Sequence, residues 1–339
     1  MKSVYLIGAA RGDKSPMEPV RLAVEAHAGL DVWHATGEEY ADVAVILGDR
    51  SEALTEVHRA SMRGSVIVHL HGGEVTKGSQ DNRWRYAISA IADVHCPATY
   101  RSRDRLIAHG EQPERIHVTG APGLDRLAGA LLYERGTHGI PEAPFVLCTV
   151  HPATGDRKRE STTDVMHAVF DAVEAVGMPV VWTAPNRDGE WTYIAGLIRD
   201  AIQGVPADYD MPACESHPHW TYHEDAGTQL YLSLMHHAAV MVGNSSSGII
   251  EAPEFGLPVV NVGRRQEGRE RGGYIEDARV DSRHIEEKIR YFVRWSGPYG
   301  LPSIPNPYRP HGDYKASERI ADIIAGLDLD EYKEKTYAR

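Results

Sequence analysis

The fold class this sequence predicts is α/β, with two doubly wound parallel-sheet domains, and three observations predict it. Short β-branched and aliphatic runs alternate with segments of helical periodicity, as βαβ units require. The alternation occurs twice, on either side of a Gly-, Pro- and polar-rich break, ERGTHGIPEA at 134–143. The 339 residues exceed what one small core organises and fit two domains of ordinary size.

In the first series the predicted strands are Ser3–Gly8, Val43–Leu47, Val66–Leu70, Val94–Ala98 and Ile116–Thr119, and the predicted helices Met17–His27, Ser51–Met62, Asn82–Ala92 and Arg101–His109. In the second, strands are predicted at Phe145–Val150, Val180–Ala184, Val240–Gly243 and Val259–Val262. Its helices are predicted at Ser161–Val176, Trp191–Gln203, Gly227–His237, Ser246–Phe255 and Ser282–Val293. Prolines in GPYGLPSIPNPYRP, 297–310, forbid a continuous helix there. The expected domains are 1–135 and 140–310, with the last helix, near Tyr314–Ala325 in the stretch 314–339, returning to the first. Two such domains face one another across a cleft at the carboxyl ends of their sheets, the edge where open α/β sheets bind ligands.

Composition excludes several classes. The net charge of −12 disfavours broad binding to nucleic acid or an anionic membrane. No run approaches the roughly 18 apolar residues of a membrane span, and the opening apolar run ends at Arg11, too soon for a signal-peptide core. The three cysteines, Cys96, Cys148 and Cys214, form no CxxC pair, so neither a disulfide framework nor structural zinc is expected, and a reducing cytoplasm is the natural compartment. The HPH and HH spacings at His217, His219, His236 and His237 lack the Cys/Asp pattern that completes a metal site, so no metal is predicted.

The stretch VGNSSSGIIEAPEFGLPVVNVGRRQEGRER, 242–271, carries the most chemistry. A strand ends at Gly243, and Asn244, Ser245, Ser246 and Ser247 open a predicted helix whose free N–H groups and dipole attract anions. Glu251 lies about one turn on, where a carboxylate accepts bonds from ribose hydroxyls. Arg264, Arg265, Arg269 and Arg271 follow the next strand, and guanidinium forks suit a diphosphate. Asp49 stands at the carboxyl end of VAVILGDR, 43–50. In HLHGGEVTKGSQD, 69–81, two glycines place Glu74 just past a strand, and Asp81 follows near the start of a helix. Taken singly, Asp49 and Asp81 read as helix N-caps; together the three acids mark one edge. His151 ends the strand of LCTVHP and points to the same cleft.

These residues resemble a known family. GDR at 48–50, HGGEVTKG at 71–78, VTGAPGLDRL at 118–127, TVHPATGD at 149–156, PN at 185–186 and the long GNSSSG…RRQEGR block at 243–269 closely resemble the hydrolysing UDP-N-acetylglucosamine 2-epimerases of the sialic-acid-pathway type. The resemblance covers about Ala41 to Val293, more faintly the opening ARGDKSPMEPV. It implies two Rossmann-like domains of the glycosyltransferase-B kind, UDP held mainly by the second and the sugar facing the first. By matched positions it implies that Ser245 and Ser246, with Gly243 and Asn244 beside them, bind the diphosphate, Glu251 the ribose and Arg265 the phosphates. Asn186 lies near the nucleotide, Arg11 is the phosphate-side arginine of the opening loop, and Asp49, Glu74, Asp81 and His151 occupy catalytic positions. A homo-oligomer is implied as well. The segment between the opening loop and GDR is shorter than in the family, so a strand and helices there are expected to be reduced, and Asp81-Asn82 replaces a pair of acids.

The implied reaction inverts C2 of a UDP-sugar by loss of UDP and addition of water, with no cofactor. The alternatives are a glycosyltransferase of the same architecture, a nucleotide-sugar hydrolase, and a silent nucleotide-sugar sensor.

Overall fold

The computed structural model describes residues 1–8, 14–33, 41–49, 51–152, 160–186, 189–204, 216–295 and 304–332. In chain order its first elements are β1 (Lys2–Gly8), α1 (Lys14–Ala26), β2 (Leu30–Trp33), β3 (Val43–Leu47), α2 (Ser51–Met62), β4 (Val66–Leu70), α3 (Asp81–Ile91), β5 (Val94–Cys96) and α4 (Tyr100–Ala108). Then come β6 (Val146–Thr149), α5 (Thr162–Val176), β7 (Val180–Thr183), α6 (Trp191–Gln203), β8 (Trp220–His223), α7 (Gly227–His237), β9 (Val240–Gly243), α8 (Ser247–Ile250), β10 (Val259–Val262), β11 (Ile275–Ala278), α9 (Ser282–Trp295) and α10 (Ala316–Gly326).

The chain divides into two compact units. One comprises Met1–Thr76, Gln80–Gly129 and Pro307–Arg339; the other Lys77–Ser79 and Ala130–Asn306. The first holds a five-stranded parallel sheet in the order β2-β1-β3-β4-β5. β3 (VAVIL) and β4 (VIVHL) are buried along their whole length, which is why they are unbroken apolar runs rather than alternating ones. After β1 the chain goes outward to β2 and returns to β3 on the other side, so the strand order reverses between β1 and β3. A doubly wound sheet opens its ligand crevice at such a point. α10 lays Ile320, Ala321 and Ile324 into the core formed with Val20 and Val24 of α1; each isoleucine, fully buried, contributes about 1.5–3 kcal/mol.

The second unit holds a six-stranded parallel sheet, β11-β10-β9-β6-β7-β8. Its reversal lies between β6 and β9. α5 is delimited by local chemistry: Ser161 in extended geometry accepts the N–H of Asp164, and Gly177 ends the helix in the left-handed conformation. Phe170 of this helix packs in the core against Trp182 of β7 and Trp220 of β8, stacking on the latter. No helix among the described residues is long and apolar enough to cross a membrane.

Two expectations are corrected and three unexpected strands are added. Ile116–Thr119 forms no strand: His117 and Thr119 donate to the carbonyls of His95 and Pro97, but only the bridge His95–Ile116 is paired, because Pro97 has no N–H to return. The edge strands β2, β8 and β11 are present although their short, partly polar sequences give little strand signal. β2 lies in the stretch expected to be reduced. The helix expected over Ser246–Phe255 is a single α turn, α8, followed by a 3₁₀ turn over Ala252–Phe255. Pro253 lacks the N–H that would continue the ladder and Gly256 turns left-handed at its end.

Candidate functional site

In the first unit the site residues gather at the carboxyl edge of β3 and β4. β3 ends at Leu47, and Gly48 after it, with a φ of 111°, turns the chain into Asp49. The carboxylate of Asp49 is ion-paired with the guanidinium of Arg85, which lies in α3 and is almost completely buried. The same guanidinium donates to the main-chain carbonyl of Glu74 (3.0 Å), to Asn82 Oδ1 (2.8 Å) and to Thr76 Oγ1 (3.3 Å). Asn82 Oδ1 also accepts the N–H of Thr76 at 2.8 Å. One buried cation thus fastens the loop after β3 to the loop after β4, and Asn82 uses its amide oxygen in that fastening.

The loop after β4 is tightly wound. His71 has a φ of 62°, a left-handed conformation unusual for a residue with a side chain. Its Nδ1 lies 2.6 Å from Oε1 of the buried Glu74. Gly73, also left-handed, packs where a Cβ would collide with the carbonyl of Ser102. His69 of β4 supports Asp49 from beneath, with Nε2 3.1 Å from the carbonyl of Gly48 and Nδ1 3.0 Å from Ser89 Oγ. Burial, reinforced by the neighbouring His95, pushes its pKa down to about 3. The ring is therefore neutral at ordinary pH, and the Gly48 carbonyl puts its proton on Nε2. Asp81 is the first residue of α3, not its cap, so its carboxylate lies at the positive end of the helix.

In the second unit the site forms at the carboxyl ends of β6 and β9, the strands flanking the reversal. Asn244 clasps the main chain of His151 with both ends of its amide: Oδ1 accepts the His151 N–H at 2.7 Å and Nδ2 donates to its carbonyl at 3.0 Å. The carbonyl of Asn244 receives Arg265 Nη1 (3.2 Å) and Gln266 Nε2 (2.9 Å). Gly243 precedes the clasp with a φ of 141°, and a Cβ there would collide with the carbonyl of Thr149. The His151 ring accepts the Asn186 N–H on Nδ1 (2.9 Å) and reaches Ser245 Oγ with Nε2 (3.1 Å). His151, Asn186, Asn244, Ser245 and Arg265 are therefore one connected group. His151 belongs with the serines of its own unit. Ser246 precedes α8 without capping it, and Glu251, buried, closes its far end. Arg264 is bonded to Glu267 and Arg271 to Asp277, whereas Arg265 donates to the Asn244 carbonyl. Arg11 and Arg50 lie outside the described residues, as does most of TVHPATGD beyond Pro152.

No group of three His, Cys, Asp or Glu among the described residues is arranged to hold a metal.

The model of the family described as UDP-N-acetylglucosamine 2-epimerase matches residues 29–325. The chain belongs to the UDP-N-acetylglucosamine 2-epimerase family. A hydrolysing UDP-N,N'-diacetylbacillosamine 2-epimerase of Legionella pneumophila is 33% identical over 299 residues, 86% of this chain and 72% of that protein. A UDP-N-acetylglucosamine 2-epimerase of Neisseria meningitidis serogroup B is 28% identical over 253 residues, 74% of this chain but only 63% of its own length. Among solved structures, the N. meningitidis UDP-GlcNAc 2-epimerase bound to UDP-GlcNAc superposes with a TM-score of 0.77 at 16% identity, covering 96% of this chain and 100% of that one. The S. aureus MnaA–UDP complex gives 0.72 at 17% identity, with 100% of each chain covered. These likenesses establish the glycosyltransferase-B-like fold of the family member described here.

Several residues of this epimerase-family site carry no signal in the sequence. Arg85 reads there as one more helix arginine, His69 as a strand residue, and Tyr231, whose hydroxyl donates to Ser247 Oγ at 3.1 Å, as part of the apolar face of α7. Their roles follow from burial and contacts that only the folded chain supplies.

Proposed function

We propose that this chain is a hydrolysing 2-epimerase of a UDP-linked 2-acetamido sugar, UDP-N-acetylglucosamine or a close relative such as the diacetylbacillosamine derivative, releasing UDP and the C2-epimeric free sugar. The observation that carries the reading is the Arg85-centred group that fastens the Asp49 carboxylate to the main chain of Glu74: it sets two acids at adjacent strand ends, more than simple glycosyl transfer needs.

The C2 proton of a resting sugar is not acidic. As the C1–O bond to UDP breaks, C1 becomes cation-like and its neighbouring C–H acidifies. A carboxylate of the first unit takes the proton, the electron pair forms the C1–C2 double bond, and UDP leaves. Water then adds at C1 while a proton is returned to C2 on the other face. In this reading Asp49, Glu74 and Asp81 face the electron-poor ring and move the protons. Ser245, Ser246 and Arg265 take the negative charge growing on the diphosphate. His151 donates beside them, Glu251 holds the ribose, and Asn186 flanks the nucleotide. Gly243 and Asn244 shape the turn, and Arg11 is assigned to the phosphate side on the resemblance alone. The chemistry calls for no metal or redox group. The proposal places the enzyme in the cytoplasm, where the buried thiols of Cys96 and Cys148 stay reduced, and has it act as a homo-oligomer.

The test is incubation with UDP-, GDP-, CDP- and dTDP-linked 2-acetamido sugars in deuterium oxide, following nucleotide release and the sugar by NMR. The expected result is UDP release with deuterium at C2 of an inverted sugar. Release that requires an acceptor, with no deuterium at C2, overturns it in favour of transfer.

A further inference from the structure

We propose that Tyr231 is a positioning residue for the diphosphate: through Ser247 it sets the direction of a hydrogen-bond chain so that Ser245 presents its hydroxyl proton, not a lone pair, to a phosphate oxygen. This rests on the nucleotide-sugar reading above and extends it to a residue of α7 outside the predicted site.

The chain can be read from the donor that cannot reverse. The main-chain N–H of Asn186 donates to Nδ1 of His151 at 2.9 Å. That nitrogen is therefore an acceptor, and the proton of the neutral ring sits on Nε2. Nε2 lies 3.1 Å from Ser245 Oγ and donates to it. At the other end Tyr231, projecting from α7, donates its hydroxyl to Ser247 Oγ at 3.1 Å. Burial raises the tyrosine pKa, so the phenol keeps its proton throughout the neutral range. The 2.8 Å contact between Ser247 Oγ and Ser245 Oγ admits either direction, and Tyr231, by occupying a lone pair of Ser247, favours Ser247 as its donor. The Ser247 N–H approaches the same oxygen at 3.3 Å. Ser245 Oγ thus receives from the His151 ring on one side and from Ser247 on the other, through the Ser247 hydroxyl with its N–H as a longer second donor. An sp³ hydroxyl oxygen has two lone pairs and one proton, and both lone pairs are engaged. What Ser245 has left to offer is its proton.

The direction matters because a hydroxyl is electrostatically two-faced. A serine free to rotate offers an arriving anion a lone pair as readily as a proton and must be reoriented before it helps. One held by two donors is already a donor, and preorganised donors are the ones that stabilise developing negative charge. α8 is only four residues long, so oriented side chains carry the task that a longer helix would share.

The test is titration of UDP and of uridine into wild type, Tyr231→Phe, Ser245→Ala and the double variant. Tyr231→Phe removes one oxygen and keeps the ring that packs. The expected result is UDP affinity weakened roughly 3- to 10-fold, the effect of one hydrogen bond, with uridine affinity unchanged. In the Ser245→Ala background the same substitution is expected to add nothing, since there is no hydroxyl left to orient. Ser247→Ala cuts the chain at its middle and carries the same expectation if the phenylalanine variant folds poorly. Unchanged UDP affinity in Tyr231→Phe, an equal loss for uridine, or an undiminished effect without the Ser245 hydroxyl overturns the proposal. Wild type that binds no UDP overturns the nucleotide reading itself, a distinct result seen before any variant is compared.

Discussion

The guanidinium of Arg85, at the heart of α3, is ion-paired with the carboxylate of Asp49 at the end of β3 and bonded to the main-chain carbonyl of Glu74. A cation buried this way fixes where two acids stand. Arg85→Met is expected to destabilise the protein by roughly 2–4 kcal/mol, somewhat below the range for a fully buried pair because the Asp49 side chain is 22% exposed. Urea denaturation measures it. Arg85→Lys is expected to restore little, because an ammonium cannot reach four acceptors from one planar fork.

Glu74→Gln is expected to abolish UDP release while leaving UDP affinity within a few-fold, since the carboxylate lies in the first unit and the diphosphate group of residues in the second. Calorimetric titration with UDP beside a coupled assay of UDP release separates the two. A fully active variant removes Glu74 from the chemistry.

Arg265→Ala is expected to weaken UDP binding by roughly 1.5–3 kcal/mol, the range for hydrogen bonds to charged groups. Unchanged affinity places the diphosphate elsewhere.

His69 gives a pH signature. Its pKa is about 3 in the folded chain against 6.5 for an exposed imidazole, with burial the main cause. Between these values the unfolded chain binds a proton that the folded one does not, so stability falls as pH drops from 6.5 toward 3. The loss attributable to this ring is on the order of several kcal/mol. Denaturation curves at pH 7, 6 and 5 are expected to converge between wild type and His69→Asn as the pH falls, because the variant lacks this contribution. Parallel curves would remove it.

The fully buried strands β3, β4, β6 and β9 are legible because burial on both faces leaves an unbroken apolar run, and the GNSSSG block is legible because strand, turn and hydroxyls are contiguous. The edge strands β2, β8 and β11 are not, since an edge tolerates polar residues such as those of IEDA. The length of α8 was readable from Pro253, yet the apolar spacing of GIIEAPEF favours a longer helix, and local geometry prevails. Arg85, His69 and Tyr231 escape detection for one reason: nothing in a linear sequence marks which member of a helix or strand will be enclosed.

The clasp of Asn244 on His151, with Arg265 and Gln266 resting on the same residue's carbonyl, joins the tips of β6, β9 and β10 before any nucleotide arrives. The entropy of ordering those three tips is already settled during folding. Association should accordingly be fast, with little slow relaxation after encounter, and tighter or weaker nucleotides should differ chiefly in how long they stay.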